Sequence, residues 1–226
     1  MAIKSTDKPI SSSQRALSEL REMIFAGELP AGSDHLESEL AAQLDMSRTP
    51  VREAILMLEG QGLLEMRPRK GVRILPLSPD DMAEIYDVLT ELESLAAEQA
   101  ATAGYGEDDL AGLAKAIDDM DRAIEGPDLD AWAEADDRFH KELVRLGGNS
   151  RIMGIVYMMS DQVRRARATT LTMRPLPKQS NEDHRKVYQA IKNGDAAAAR
   201  ETHRAHRRYA KQIIVEILQK HRLRFV

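Results

Sequence analysis

Two short stretches hold the residues best placed to do chemistry. In "DDRFHKEL", residues 136–143, Asp136 and His140 stand one helical turn apart, in register with Trp132, Phe139 and Leu143. A carboxylate and an imidazole therefore occupy an inward stripe that should be apolar. A buried carboxylate is costly unless it is paired or bound to a metal. The anomaly recurs. His184 shares a helix face with Val187, Tyr188 and Ile191, and His203 and His206 lie on one broad face with Ala210, Ile213 and Ile217. Three helices each aim imidazole inward, one of them adding a carboxylate, and facing helices that supply such ligands are a standard way to build a metal site in a bundle. Imidazole with one carboxylate suits Zn, Ni, Fe or Mn without choosing between them. The plainer reading of each histidine is a satisfied core group, and of Asp136–His140 a simple ion pair.

The second stretch is "SRTPVRE", residues 47–53. Ser47 is a candidate N-cap, which puts Arg48, Thr49 and Pro50 in a first helical turn. Pro50 loses no hydrogen bond there, because first-turn N–H groups have no acceptor within the helix. Its ring stiffens the turn and fixes where the neighbouring side chains point. Arg48 and Arg52 are four apart, hence on one face, opposite Val51, Ile55 and Leu58. Two arginines at a rigid helix start can bond bidentately to guanine edges in a DNA major groove. The bland alternative is a solvated cationic face.

The elements around these residues decide between the readings. "SSSQRALSELREMIFAGELPAG" reads as a helix with Leu17, Leu20 and Ile24 inward, and "LESELAAQLDM" as a short helix with Leu36, Leu40 and Leu44 on one side. A tight break at Asp45–Met46 leads into the helix that starts with Arg48. "LLEMRPRKGVRILPL" then changes period to two short strands around Pro68–Gly71, a hairpin with Arg69, Lys70 and Gly71 at its tip. Helix, short helix, turn, helix, hairpin is the order of a winged helix-turn-helix. Pro76 and "SPDD" mark a boundary, with Ser78 as cap and Pro79 in the first turn. Six helices follow, at 79–103, 107–125, 128–147, 149–172, 180–193 and 195–221. The fold class is mainly α, with a winged domain at 11–75 and a helical bundle at 79–221.

Charge supports a local DNA-binding surface and excludes a global one. The net charge is −5, but residues 77–148 carry 5 basic against 20 acidic side chains and residues 149–226 carry 17 against 6, so the two helical halves are complementary. Any DNA contact must come from a patch such as Arg48, Arg52, Arg67, Arg69, Lys70 and Arg73. The chain has no cysteine, which removes disulfide, thiolate-metal and thiol chemistry and fits a reducing cytoplasm. It shows neither a signal pattern nor a bilayer-length apolar run, so no membrane role is expected.

On these residues the chain resembles a known family. "SELAAQLDMSRTPVREAILMLEGQGLLEMRPRKGVRI" closely resembles the DNA-binding domain of GntR-type bacterial transcription regulators. The resemblance implies operator contacts from Arg48, Thr49, Arg52 and Gly71, with Ser38 standing where several members carry an arginine. Ser47, Arg69 and Lys70 complete the expected DNA face. Residues 80–215 are similar to the all-helical FCD domain of the FadR subgroup, through "DRFHKELVRLGGN" and "EDHRKVYQAIKNGDAAAARETHRAH". That implies Asp136, His140, His184 and His206 as metal ligands, with His203 as an extra, and a bound small carboxylate that alters DNA affinity. Six helices resemble the vanillate-regulator branch. Many relatives carry an arginine where this chain has Leu89, so Arg164, Arg165 or Arg167 is the expected substitute, with Asn149 and His203 also at the effector pocket.

The expectation is therefore a homodimeric, cytoplasmic transcription regulator of the repressor type. It would bind double-stranded, palindromic operator DNA and respond to a small-molecule effector. The rival reading is a metal-dependent, hydrolase-like enzyme, for which the chain lacks HExxH, P-loop and GxSxG motifs.

Overall fold

The computed structural model describes residues 11–221 and divides into two units, one ending at Pro76 and the other beginning at Leu77. In the first unit, helix α1 (Ser12–Phe25) opens with a capping box in which the Ser11 hydroxyl accepts from the Gln14 N–H. Leu20 and Ile24 are buried as expected, with Ala16 completing the stripe and Leu17 half-buried beside it. Helix α2 (Glu37–Gln43) buries Leu40, whereas Leu36, before its first turn, is 46% exposed rather than inward. Helix α3 (Arg48–Gly60) buries Val51, Ala54, Ile55 and Leu58. Ser47 takes the N-cap position of α3 but its side chain makes no cap hydrogen bond.

Strands β2 (Leu64–Arg67) and β3 (Gly71–Ile74) form the expected hairpin, and a two-residue strand β1 (Asp34–His35) pairs with the other edge of β3, giving the antiparallel order β1-β3-β2. The pairing explains Gly71. Its φ of +82° favours glycine, and a Cβ there would stand 2.1 Å from the His35 carbonyl oxygen, which only glycine avoids. β1 is too short to carry an alternating pattern, so the sequence reads as a hairpin alone.

The second unit holds six α-helices among the described residues: α4 (Pro79–Thr102), α5 (Ala111–Glu125), α6 (Leu129–Leu146), α7 (Ser150–Thr170), α8 (Lys178–Lys192) and α9 (Ala196–Lys220). A 3-10 turn at Leu171–Met173 extends α7. Ser78 caps α4 through the Asp81 N–H at 3.3 Å, and Pro79 occupies its first turn, where proline costs no hydrogen bond. Two apolar clusters hold the bundle together. One joins α4 to α5, α6 and α8 around Leu113, Trp132, Phe139 and Val187, and the other joins α4 to α7 and α9 around Tyr86, Val156 and Ile214. At Gly147 a Cβ would lie 2.8 Å from Ala96, so the missing side chain lets the end of α6 close against α4. That approach sets Glu93, three residues before Ala96, against the middle of α6. No helix among the described residues is long and apolar enough to cross a membrane.

Candidate functional site

The winged unit presents one cationic face. Ser38, Ser47, Arg48, Thr49, Arg52, Arg69 and Lys70 are all exposed. Ser38, Arg48, Arg52, Arg69 and Gly71 line one open depression with Arg67, so the starts of α2 and α3 and the hairpin tip converge. Ser47, Thr49 and Lys70 lie outside that lining. Arg67 is tied down by Glu65 at 3.0 Å and Asp34 at 3.3 Å. Among the described residues Arg48, Arg52, Arg69 and Lys70 have no ion-pair partner, so their donors remain available to an external anion. Arg69 adopts a φ of +66°, which turns the chain sharply between β2 and β3.

Inside the bundle, Asp136, His140, His184 and His206 bring one ligand atom each into a single buried group. Asp136 Oδ1 is 3.8 Å from His140 Nε2 and 3.6 Å from His184 Nε2. The His140 and His206 rings stack at 5.6 Å, and His184 and His206 stand 4.5 Å apart. A second buried group shares His140: Glu93 Oε2 is 2.9 Å from His140 Nδ1, and His203 Nε2 is 3.5 Å from both. Two arginines close the assembly. Arg167 of α7 binds Asp136 Oδ2, and Arg207 of α9 lies 3.1 Å from Glu93 Oε1 and 4.8 Å from the Tyr86 ring centre.

Each buried carboxylate thus gives one oxygen to an arginine and turns the other to imidazole. Burial would push the Asp136 carboxyl up, but Arg167, then His140, His206 and Arg207, hold it below the usual carboxylate value. Burial opposes charge on Arg167, but Asp136, Tyr86 and Asp137 together outweigh it, so the guanidinium stays charged. Burial pushes His140, His184 and His203 well below the ordinary histidine value, and the neighbouring cations and imidazoles add to the effect. These three imidazoles are neutral and offer lone pairs.

Those lone pairs test whether a metal fits. His140 Nε2 and both ring nitrogens of His184 and His206 are buried without a hydrogen-bond partner. Several orphaned nitrogens in one interior would be expensive unless something else engages them. Neutral imidazoles plus one ionised carboxylate are the donor set for a divalent transition metal. Asp183 lies behind His206, 3.7 Å from Nδ1, which leaves Nε2 for the group. The residues fit.

Comparison with known proteins matches each of the two units to a family. Residues 12–74 match the family described as "Bacterial regulatory proteins, gntR family", and residues 84–209 match the "FCD domain". A probable D-xylose utilization operon transcriptional repressor from Paenarthrobacter nicotinovorans is 33% identical over 177 residues, covering 78% of this chain and 76% of the relative. The chain belongs to the GntR family, with an FCD domain. An HTH-type transcriptional regulator from Agrobacterium vitis is 43% identical over 127 residues, 55% of this chain and 74% of the relative. Among solved structures, Escherichia coli McbR/YncC superposes with a TM-score of 0.77 at 20% identity, covering 92% of this chain and 98% of that one. The fold is that of GntR regulators.

As a GntR-family protein the chain is a DNA-binding transcription regulator, and the hydrolase-like alternative falls with that membership. Of the residues expected at the effector pocket, His203 and Arg167 join the buried assembly. Arg164 is exposed and lines a cleft between α6 and α7 that also touches Arg167. Asn149 has other work: its side-chain oxygen accepts from the Arg151 and Ile152 N–H groups at 3.0 and 3.2 Å, capping α7. Sequence reasoning missed Glu93, Arg207 and Asp183. Glu93 carried a signal, since it falls four residues after Leu89 and four before Ala97 on the buried face of α4. Arg207 likewise follows His203 by four.

Proposed function

We propose that this GntR-family regulator is a homodimeric repressor whose operator affinity is set by a small carboxylate metabolite bound at a divalent-metal centre in the helical unit. Asp136, His140, His184 and His206 would hold the metal, which would supply an open coordination position to an anionic ligand. The observation that carries this reading is the set of unpaired, buried ring nitrogens on three helices facing one ionised carboxylate. Charge supports an anionic effector. Asp136 and Glu93 are already balanced by Arg167 and Arg207, and three of the imidazoles are neutral, so a dication leaves an excess that a carboxylate would offset. The cleft between α6 and α7, where Arg138, Arg164 and Arg167 face Asp130, Glu134 and Asp137, is the entry we assign to it.

On the DNA side we assign base contacts to Arg48, Thr49 and Arg52, and backbone contacts to Ser38, Ser47, Arg69, Lys70 and the wing at Gly71. Exposed Ile155 and Met158, on one face of α7, support self-association. A symmetric dimer reads half-sites about one DNA turn apart, hence a palindrome. The effector changes affinity only by favouring one of two conformations.

The test begins with selection of bound sequences from random duplexes by the full chain. Inverted repeats about 10 base pairs apart are expected, with Arg52→Ala abolishing retention while its helical signal persists. Gel shifts with and without Zn2+ and a panel of sugar acids and hydroxy acids then test response. Unchanged retention by Arg52→Ala, or indifference to metal and to every acid, would contradict the proposal.

A further inference from the structure

His140 is the one imidazole that belongs to both buried groups, and it meets them with opposite nitrogens. Its Nε2 faces Asp136 Oδ1, and its Nδ1 faces Glu93 Oε2 at 2.9 Å. We propose that Glu93 is a positioning residue that decides which nitrogen of His140 is free to hold an ion. This inference rests on the metal reading above and deepens it.

A neutral imidazole carries one N–H. If the proton sits on Nε2, that nitrogen has no lone pair for a metal; if it sits on Nδ1, Nε2 is open. A carboxylate beside Nδ1 selects the second form, because it accepts that proton's hydrogen bond and repels a lone pair. Glu93 is well fixed for the task. Its Oε1 is held by Arg207 Nη2 at 3.1 Å, so Oε2 is the oxygen left for the imidazoles. His203 is anchored behind it by Ser94 Oγ, 3.4 Å from Nδ1, which turns His203 Nε2 to the same oxygen at 3.5 Å. Glu93 Oε2 and His140 Nε2 are both buried without a hydrogen-bond partner, so one is available to accept from Nδ1–H and the other to hold an ion.

The same three residues, Glu93, His140 and His203, also stand within the reach of a second ion. Charge decides against that use. Arg207 already balances Glu93, and Arg167 stands on the other side of the assembly. One dication already leaves the assembly with excess positive charge, and a second, sharing His140 with the first, would add two more charges at close range with no further carboxylate to offset them. Glu93 serves the first ion from outside its shell.

Replacing Glu93 alone would strand the Arg207 charge, so the experiment removes both. Zn2+ affinity is measured by competition with a chromophoric chelator for the full chain, for Glu93→Gln/Arg207→Met and for Glu93→Met/Arg207→Met. The glutamine variant keeps an acceptor oxygen and is expected to bind one ion per chain at close to the parent affinity. The methionine variant is expected to bind one ion about 10–100-fold more weakly. Absorption of bound Co2+ should be alike in the parent and glutamine forms and altered in the methionine form, which a loss of fold stability alone would not produce. Equal affinity of the two variants would overturn the role of Glu93 while leaving the metal reading intact. Two ions in the parent, with one lost in both variants, would overturn it in favour of a second site. A parent that takes up no ion would overturn the metal reading itself and this inference with it.

Discussion

Arg167 of α7 binds one oxygen of Asp136 on α6, while the other oxygen of the same carboxylate faces His140 and His184. The contact ties two helices together and keeps Asp136 ionised, as the ligand role we propose for it requires. On that proposal, charge and coordination are coupled at one side chain.

That coupling is testable by Arg167→Met. With the cation gone, Asp136 is a buried charge with no partner of full opposite charge, a loss of about 3–5 kcal/mol. A divalent ion would supply the missing charge. Urea unfolding is expected to show the full loss without metal and a clear recovery with Zn2+. An equal loss in both conditions would mean that no ion reaches Asp136.

Stability of the metal-free protein should fall on mild acidification. His140, His184 and His203 are held well below the ordinary value of 6.5 in the folded state. Below that value the unfolded chain takes up protons that the folded chain refuses, so stability is fully present above about pH 6.5 and is lost as pH falls. Each histidine contributes a slope of up to about 1.4 kcal/mol per pH unit. Chelator-treated protein melted at a series of pH values between 7.5 and 5 checks this; a flat melting temperature across that window would show that the imidazoles titrate freely.

Gly71→Ala tests the wing. The added Cβ would meet the His35 carbonyl oxygen, and the residue would keep a left-handed backbone. The two effects together are expected to cost roughly 1–3 kcal/mol. They should also uncouple β1 from β3, weakening DNA retention more than it lowers the melting temperature of the helical unit. Normal retention by a stable Gly71→Ala protein would remove the wing from the DNA face.

How far the sequence revealed this arrangement differs between its parts. The third helix was legible because Ser47, Pro50 and the Val51–Ile55–Leu58 spacing all point one way. The inward aim of Asp136, His140, His184, His203 and His206 was legible because polar residues at core positions stand out against an apolar period, and all five are buried. Leu36 misled because spacing alone placed it inward, whereas it precedes the first turn of α2 and lies open. β1 left no mark, since its two residues are defined by the partner strand and not by their own pattern. Asn149 was legible as a residue but not as a role; asparagine before a helix is as good a cap as it is a ligand contact. Glu93 and Arg207 escaped because each lies in a helix rich in exposed charge. Only their mutual pairing across α4 and α9, absent from either segment alone, makes their burial tolerable.

The most direct measurement is elemental analysis of the full chain after reconstitution with Zn2+, Ni2+, Fe2+ or Mn2+ and desalting, set beside the His140→Ala/His184→Ala double variant. About one ion per wild-type chain and none in the variant is the result this account requires. A wild-type chain that retains no ion from any of the four, yet folds and binds DNA normally, would contradict it.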